Sequence, residues 1–116
     1  MLISIANILD AGGVEDTLAL AQQTAWIDGS ATAGRTAKQV KHNQQADLSS
    51  RSGAKLRQQL EDTILSHPVL KAAALPNRLV RLMVSKTEAG GGYGMHVDNP
   101  YMSTRDGPVR TDLSFT

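Results

Sequence analysis

The apolar residues of this 116-residue chain change period partway along, and that change limits the fold classes open to it. Leu56, Leu60 and Ile64 recur at i, i+4 and i+8 on one face of a helix that begins at Ser50 or Ser52. Val14, Leu18, Ala21 and Ala25 also recur at helical spacing, and Asp10 or a neighbour is placed to cap that first helix. Pro68 interrupts the second helix, since it lacks an N–H and its ring clashes with the preceding turn. After Leu79 the period falls to two, with Val80, Leu82 and Val84 on one side of a core strand. Leu2 to Ile8 suits a strand feeding the first helix. Asp28 to Thr36 is loop, and Lys38 to Ala46 is a candidate strand despite the poor strand propensity of Gln and Asn. This order of elements predicts an α+β chain.

Composition removes several function classes. Twelve basic and eleven acidic residues leave a net charge of +1, so no bulk electrostatic attraction favours nucleic acid or a membrane surface. Four aromatic residues offer little stacking surface for bases. The absence of cysteine excludes disulfides and thiolate metal sites and is compatible with a reducing compartment. The first residues lack a basic leader, and Asp10 ends their apolar stretch too early for a secretory signal or a membrane span. The expectation is a soluble, cytoplasmic protein.

One stretch concentrates the chemistry: Gly90-Gly91-Gly92-Tyr93-Gly94-Met95-His96-Val97-Asp98-Asn99-Pro100. In extended backbone, positions i and i+2 project from the same face, about 6 to 7 Å apart. His96 and Asp98 can therefore lean onto one cation. They make two thirds of the 2-His-1-carboxylate triad that holds non-heme Fe(II) and leaves coordination positions open. The spacing alone is weak, because three His and eight Asp in this length supply about 0.2 such pairs by chance. The competing reading is a loop-edge pair that merely meets solvent. The glycine run has no Gly-Lys-Ser/Thr ending and no helix pattern after it. It therefore gives a hairpin its freedom rather than cradling phosphate.

Longer blocks raise the specificity. Tyr93-x-x-His96-Val97-Asp98-Asn99-Pro100, followed by Arg110-Thr111-Asp112-Leu113-Ser114, resembles the metal-binding core of prolyl-hydroxylase-type Fe(II)/2-oxoglutarate oxygenases. Trp26-Ile27-Asp28-Gly29, Val40 to Gln45 and Ala72 to Pro76 resemble the bacterial PKHD-type hydroxylases. The blocks stand in the family's order, span nearly the whole chain, and match the family's N-terminal half only.

The resemblance implies a fold, cofactors and roles. Residues 1–76 become a helical and strand support region. Residues 77–116 become the start of a jelly-roll, the double-stranded β-helix, truncated before its sheet closes. Thr111 to Thr116 reads as a strand beginning, with Leu113 and Phe115 on one face. A free-standing domain rarely ends on such an edge, so the sequence is expected to be a fragment. His96 and Asp98 become iron ligands, with a second His and a basic residue for 2-oxoglutarate expected beyond Thr116. L-Ascorbate and O₂ complete the implied set.

For Tyr93 and Thr111 the roles considered are contacts with 2-oxoglutarate. Arg110, Asn43 and Gln45 are candidates for substrate. Each has a plain structural alternative: a core tyrosine, a surface ion pair for Arg110, edge solvation for the amides. On a regular strand Tyr93 faces away from His96, unless a bulge at Gly94 redirects it. His42 fits surface or cleft packing, and His67 fits a helix end where an imidazolium meets terminal carbonyls. Two function classes stay open. One is a dioxygenase represented by an inactive N-terminal piece; the other is a non-catalytic β-domain that binds a metal or a protein partner.

Overall fold

Asp10 and Ser50 start the two long helices with their own side chains. In the computed structural model, which describes residues 2–116, the Asp10 carboxylate accepts from the Gly13 N–H at 2.7 Å and opens α1 (Ala11–Gln22). Ser50 Oγ accepts from the Gly53 N–H at 3.1 Å and opens α2 (Arg51–Ser66). Each cap satisfies one of the N–H groups that a helix start leaves without a partner. Pro68 ends α2 and begins α3 (Pro68–Ala74), because a missing N–H costs nothing in a first turn. His67 lies at the joint and corrects an expectation. Its ring does not meet carbonyls at the end of α2; Nδ1 instead accepts from the Leu70 N–H, at a long 3.4 Å, at the start of α3.

The chain divides into two compact units. The helical unit runs up to Ala25 and resumes over Asp47–Leu82, with α1 and α3 each packed on α2. Its core is Leu56, fully buried, with Ile64 and Ala21. The stripe on α2 is the one its periodicity gives. On α1 the expectation holds only in part: Ala21 is buried, but Val14 and Leu18 are exposed, and Thr17, Leu20 and Thr24 turn inward in their place. The threonines can do so because their hydroxyls close on the carbonyls of Gly13 and Leu20, at 2.7 and 2.9 Å. The Gln59 amide also reaches Thr17 Oγ1 at 3.3 Å. Gly53 is required by close approach, since a Cβ there would stand 2.0 Å from the Asp47 carbonyl oxygen and 2.7 Å from Leu48 Cα.

The strand unit comprises Trp26–Ala46 and Met83–Thr116. Its strands are β1 (Trp26–Asp28), β2 (Lys41–His42), β3 (Gln44–Ala46), β4 (Ser85–Lys86), β5 (Gly92–Tyr93), β6 (Tyr101–Thr104) and β7 (Gly107–Arg110). They form three small antiparallel sheets, β1-β3-β4, β2-β5 and β6-β7. The single strand expected over 38–46 is therefore two strands that serve different sheets, after a 3-10 turn at Ala37–Gln39 and with a break at Asn43.

Residues 79–84 keep the expected alternation, with Leu82 and Val84 half-buried and Arg81 and Met83 exposed. Ladder pairing begins only at Ser85, although the Val84 carbonyl accepts from the Ala46 N–H at 2.9 Å. The run Leu2 to Ile8 is not a strand. It finds no ladder partner, and Asn7 turns left-handed at φ 57°. Residues 111–116 also lie outside any ladder, with Leu113 and Phe115 exposed. The architecture is mixed α+β, with no closed sheet among the described residues. No described helix is long and apolar enough to cross a membrane.

Candidate metal centre

The glycine turn delivers the chain to the His96–Asp98 pair. Gly90 adopts φ +82°, a left-handed conformation that side chains rarely take, and the Gly91 N–H closes on the Glu88 carbonyl at 2.9 Å. The chain then enters β5, where Gly92 pairs with His42 and Tyr93 with Lys41. Gly94 donates to the Val40 carbonyl at 2.9 Å, and its missing side chain leaves room for Val40, whose Cβ would lie 3.0 Å from a Cβ at 94. Beyond it the backbone leaves the ladder and bends at Met95. That bend turns His96 toward Tyr93. The two rings stack with centroids 3.6 Å apart and planes within 9°.

His96 and Asp98 meet in a stretch of backbone that is not part of a ladder, with Nε2 3.4 Å from Asp98 Oδ1. Cis ligands at about 2.1 Å on an octahedral cation sit about 3.0 Å apart, so a small side-chain rotation would fit this pair to one metal ion. The far nitrogen supports that use. His96 Nδ1 lies 2.8 Å from the Gly94 carbonyl oxygen. A carbonyl only accepts, so Nδ1 is the donor in this contact, and Nε2 is the ring nitrogen that faces the Asp98 carboxylate. A backbone carbonyl that fixes the tautomer of a histidine is the usual outer support of a metal ligand.

The donor set is incomplete: among the described residues no cluster of three or more His, Cys, Asp or Glu side chains could hold a metal ion. Asp112 is engaged elsewhere, accepting from Arg110 Nε at 2.7 Å in an exposed pair. Thr111 anchors the segment after Asp98. Its hydroxyl donates to the Asn99 carbonyl at 2.6 Å, and its N–H donates to the Pro100 carbonyl at 2.9 Å. The β6-β7 hairpin thus returns to the residues next to the His96–Asp98 pair.

Of the two amides considered for substrate, Asn43 lines an open cleft of about 520 Å³ together with Asp28, Lys38, Lys41, His42 and Lys86. Its Oδ1 is buried where a Gly29 side chain would otherwise stand, without a hydrogen-bond partner among the described residues. Gln45 is turned inward and engaged at both ends. Its Oε1 accepts from Thr32 Oγ1 at 2.5 Å, and its Nε2 donates to the Met83 sulfur at 3.2 Å. The Asp28 carboxyl is held below its ordinary range, first by the Ser30 backbone N–H and then by the Ser30 side chain, with Lys38 and His42 adding to it.

Sequence reasoning missed Lys41. It is 3% exposed, donates to Thr32 Oγ1 at 3.2 Å, and places Nζ 5.0 Å from the centroid of the Tyr93 ring. Only the β2-β5 register brings it there, and register is not visible in a two-residue strand. The ammonium of Lys86 over the Trp26 ring, 5.1 Å from its centroid, was equally hidden.

No family model matches the chain. Curated relatives do. A PKHD-type hydroxylase of Hyphomonas neptunium is 45% identical over 115 residues, which is 99% of this chain and 51% of that protein. One from Synechococcus sp. (strain CC9311) is 44% identical over 111 residues, 95% of this chain and 49% of its own length. A third, from Shewanella baltica (strain OS155), is 38% identical over all 116 residues and 52% of its length. The chain spans about half the length of the curated relatives it matches. It is a homologue of the PKHD-type hydroxylases over their N-terminal half.

Proposed function

We propose that the complete polypeptide is an Fe(II)- and 2-oxoglutarate-dependent dioxygenase that couples decarboxylation of 2-oxoglutarate to hydroxylation of a substrate C–H bond. The observation that carries this reading is the His96–Asp98 pair, 3.4 Å apart, with Nδ1 committed to the Gly94 carbonyl, in a homologue of proteins named hydroxylases. His96 Nε2 and an Asp98 oxygen would hold the iron, with a third ligand from the remainder of the polypeptide. When bound, iron with 2-oxoglutarate and O₂ supplies the oxidising power, and L-ascorbate keeps the metal ferrous.

The chain's own residues orient and shield. Tyr93 keeps the imidazole plane in place and, with Thr111, borders the cosubstrate position. Asn43 and Arg110 are offered to substrate, whereas Gln45 supports from the interior. Residues 77–116 are proposed to open a jelly-roll that the rest of the polypeptide closes. With two donors and no third among the described residues, the 116-residue chain alone would hold Fe(II) weakly and turn over little.

The test is succinate release by the complete polypeptide with Fe(II), 2-oxoglutarate and ascorbate, beside His96→Ala and Asp98→Ala. The expected result is binding of both iron and 2-oxoglutarate by the parent, and loss of at least 100-fold in iron affinity in either variant (roughly the removal of a direct ligand, above the 10–100-fold of an outer-shell change). Unchanged iron affinity in both variants overturns the assignment. A non-catalytic β-domain would bind metal or a protein partner without binding 2-oxoglutarate.

A further inference from the structure

We propose that Lys41 is a positioning residue for the His96 imidazole and acts through the Tyr93 ring; the inference rests on the reading of His96 as an iron ligand. The β2-β5 register makes Lys41 and Tyr93 direct cross-strand partners. Lys41 is 3% exposed, so its ammonium has a fixed address where a surface lysine would sample many. Thr32 Oγ1 receives it at 3.2 Å, and that hydroxyl is itself held by Gln45 Oε1 at 2.5 Å. Gln45, also 3% exposed, is tied at its other end to the Met83 sulfur. A buried chain of contacts therefore sets where the positive charge lies.

That charge stands 5.0 Å from the Tyr93 centroid, within the range at which a cation is drawn to the electron-rich face of a ring. Tyr93 in turn stacks on His96 at 3.6 Å. The stack fixes the plane of the imidazole, and the Nδ1 contact with the Gly94 carbonyl fixes its rotation within that plane. Together they aim Nε2 at Asp98. Tyr93 needs the help, because it is 40% exposed and ends a strand of two residues. A ligand ring held this way loses little freedom when it takes up a metal, which is what support behind a binding site contributes.

The experiment uses the 116-residue chain, Co(II) as the probe, and NMR of the His96 ring, whose protons are displaced by the face of the stacked tyrosine. Lys41→Met keeps the apolar stem and removes the charge. It is expected to move the His96 ring resonances toward those of Tyr93→Leu and to weaken Co(II) binding about tenfold, the lower bound for an outer-shell change. Lys41→Arg should restore both. In the Tyr93→Leu background, Lys41→Met should add nothing further, because the path through the ring is already gone.

Thr32→Val, which removes only the hydroxyl holding the ammonium, should give a smaller change of the same kind. It also keeps the test open if Lys41→Met does not fold. Wild-type ring resonances and Co(II) affinity in folded Lys41→Met would overturn the proposal. So would an equal loss with and without Tyr93. If none of the chains binds Co(II), as two donors without a third among the described residues allow, the ring resonances alone decide the role of Lys41, and the iron reading is decided separately by the complete polypeptide.

Discussion

The helical unit and the strand unit fill their interiors with opposite materials. Leu56, Ile64 and Ala21 carry the first, and its buried Thr24 closes its hydroxyl on its own helix. In the second, Ala46 is joined inside by Lys41 and Gln45, while Met95, Val97, Leu113 and Phe115 stand exposed. Apolar burial stabilises in proportion to area, without direction. Buried polar groups stabilise only when paired, but they fix positions. The contrast teaches that this chain keeps its stability and its site geometry in different places. The helices supply the first; a buried polar network beside two-residue strands supplies the second.

The sharpest way to break that comparison is Leu56→Ala. Emptying this fully buried side chain should cost about 3 kcal/mol, read as a lower urea midpoint by far-ultraviolet circular dichroism. A loss below about 1 kcal/mol would mean that the helical unit does not depend on its apolar core as described. Gly53→Ala follows, at about 2 kcal/mol, because its Cβ would meet backbone atoms that cannot swing aside. The same measurement checks it, and a neutral result would show that the chain entering α2 can retreat.

Thr111→Val sharpens the other side. It removes the hydroxyl that holds the Asn99 carbonyl and should cost about 1 kcal/mol, seen as faster amide exchange in the β6-β7 hairpin. Because Asn99 follows Asp98 directly, the variant should also weaken Co(II) binding, which no substitution confined to the helical core should do directly. Unaltered exchange and metal affinity would remove Thr111 from the support of the His96–Asp98 pair.

How much was legible beforehand follows the same division. The α2 stripe and both helix caps were readable because helical period and capping chemistry are local: Leu56 to Ile64 and Ser50 carry their own instructions. The α1 face was legible at Ala21 and misjudged at Val14 and Leu18, to which hydrophobicity pointed. Only tertiary packing shows that Thr17 and Thr24 turn inward. That His96 and Asp98 come within reach of each other was legible because an i, i+2 relation needs no partner strand. The site of Lys41 was not, because it depends on which two-residue strand meets which, and the turn at Gly90 and Gly91 sets that register. The stack of Tyr93 on His96 likewise needed the bend at Met95, which no periodicity announces.

The smallest expected effect sets the two units side by side through one carboxylate each. Asp47, in the helical unit, is held below the ordinary 3.8 first by the Ser49 hydroxyl and then by the Ser49 N–H. Asp28, in the strand unit, is lowered chiefly by the Ser30 N–H. A carboxyl whose pKa is depressed on folding stabilises the fold above its unfolded value and loses that contribution as pH falls through its folded value. Both terms are therefore fully present at neutral pH and disappear below about pH 4. Asp28 is exposed and Asp47 no more than half-buried, so the slopes are shallow. Urea midpoints from pH 6 to pH 3 should stay level and then fall, with part of the fall absent in Asp47→Asn and part in Asp28→Asn. If the Asp47→Asn decrement appears in helical circular dichroism and the Asp28→Asn decrement only in amide exchange of β1 and β3, the units respond separately to acid. A midpoint that rises below pH 4 would contradict the sign of both shifts.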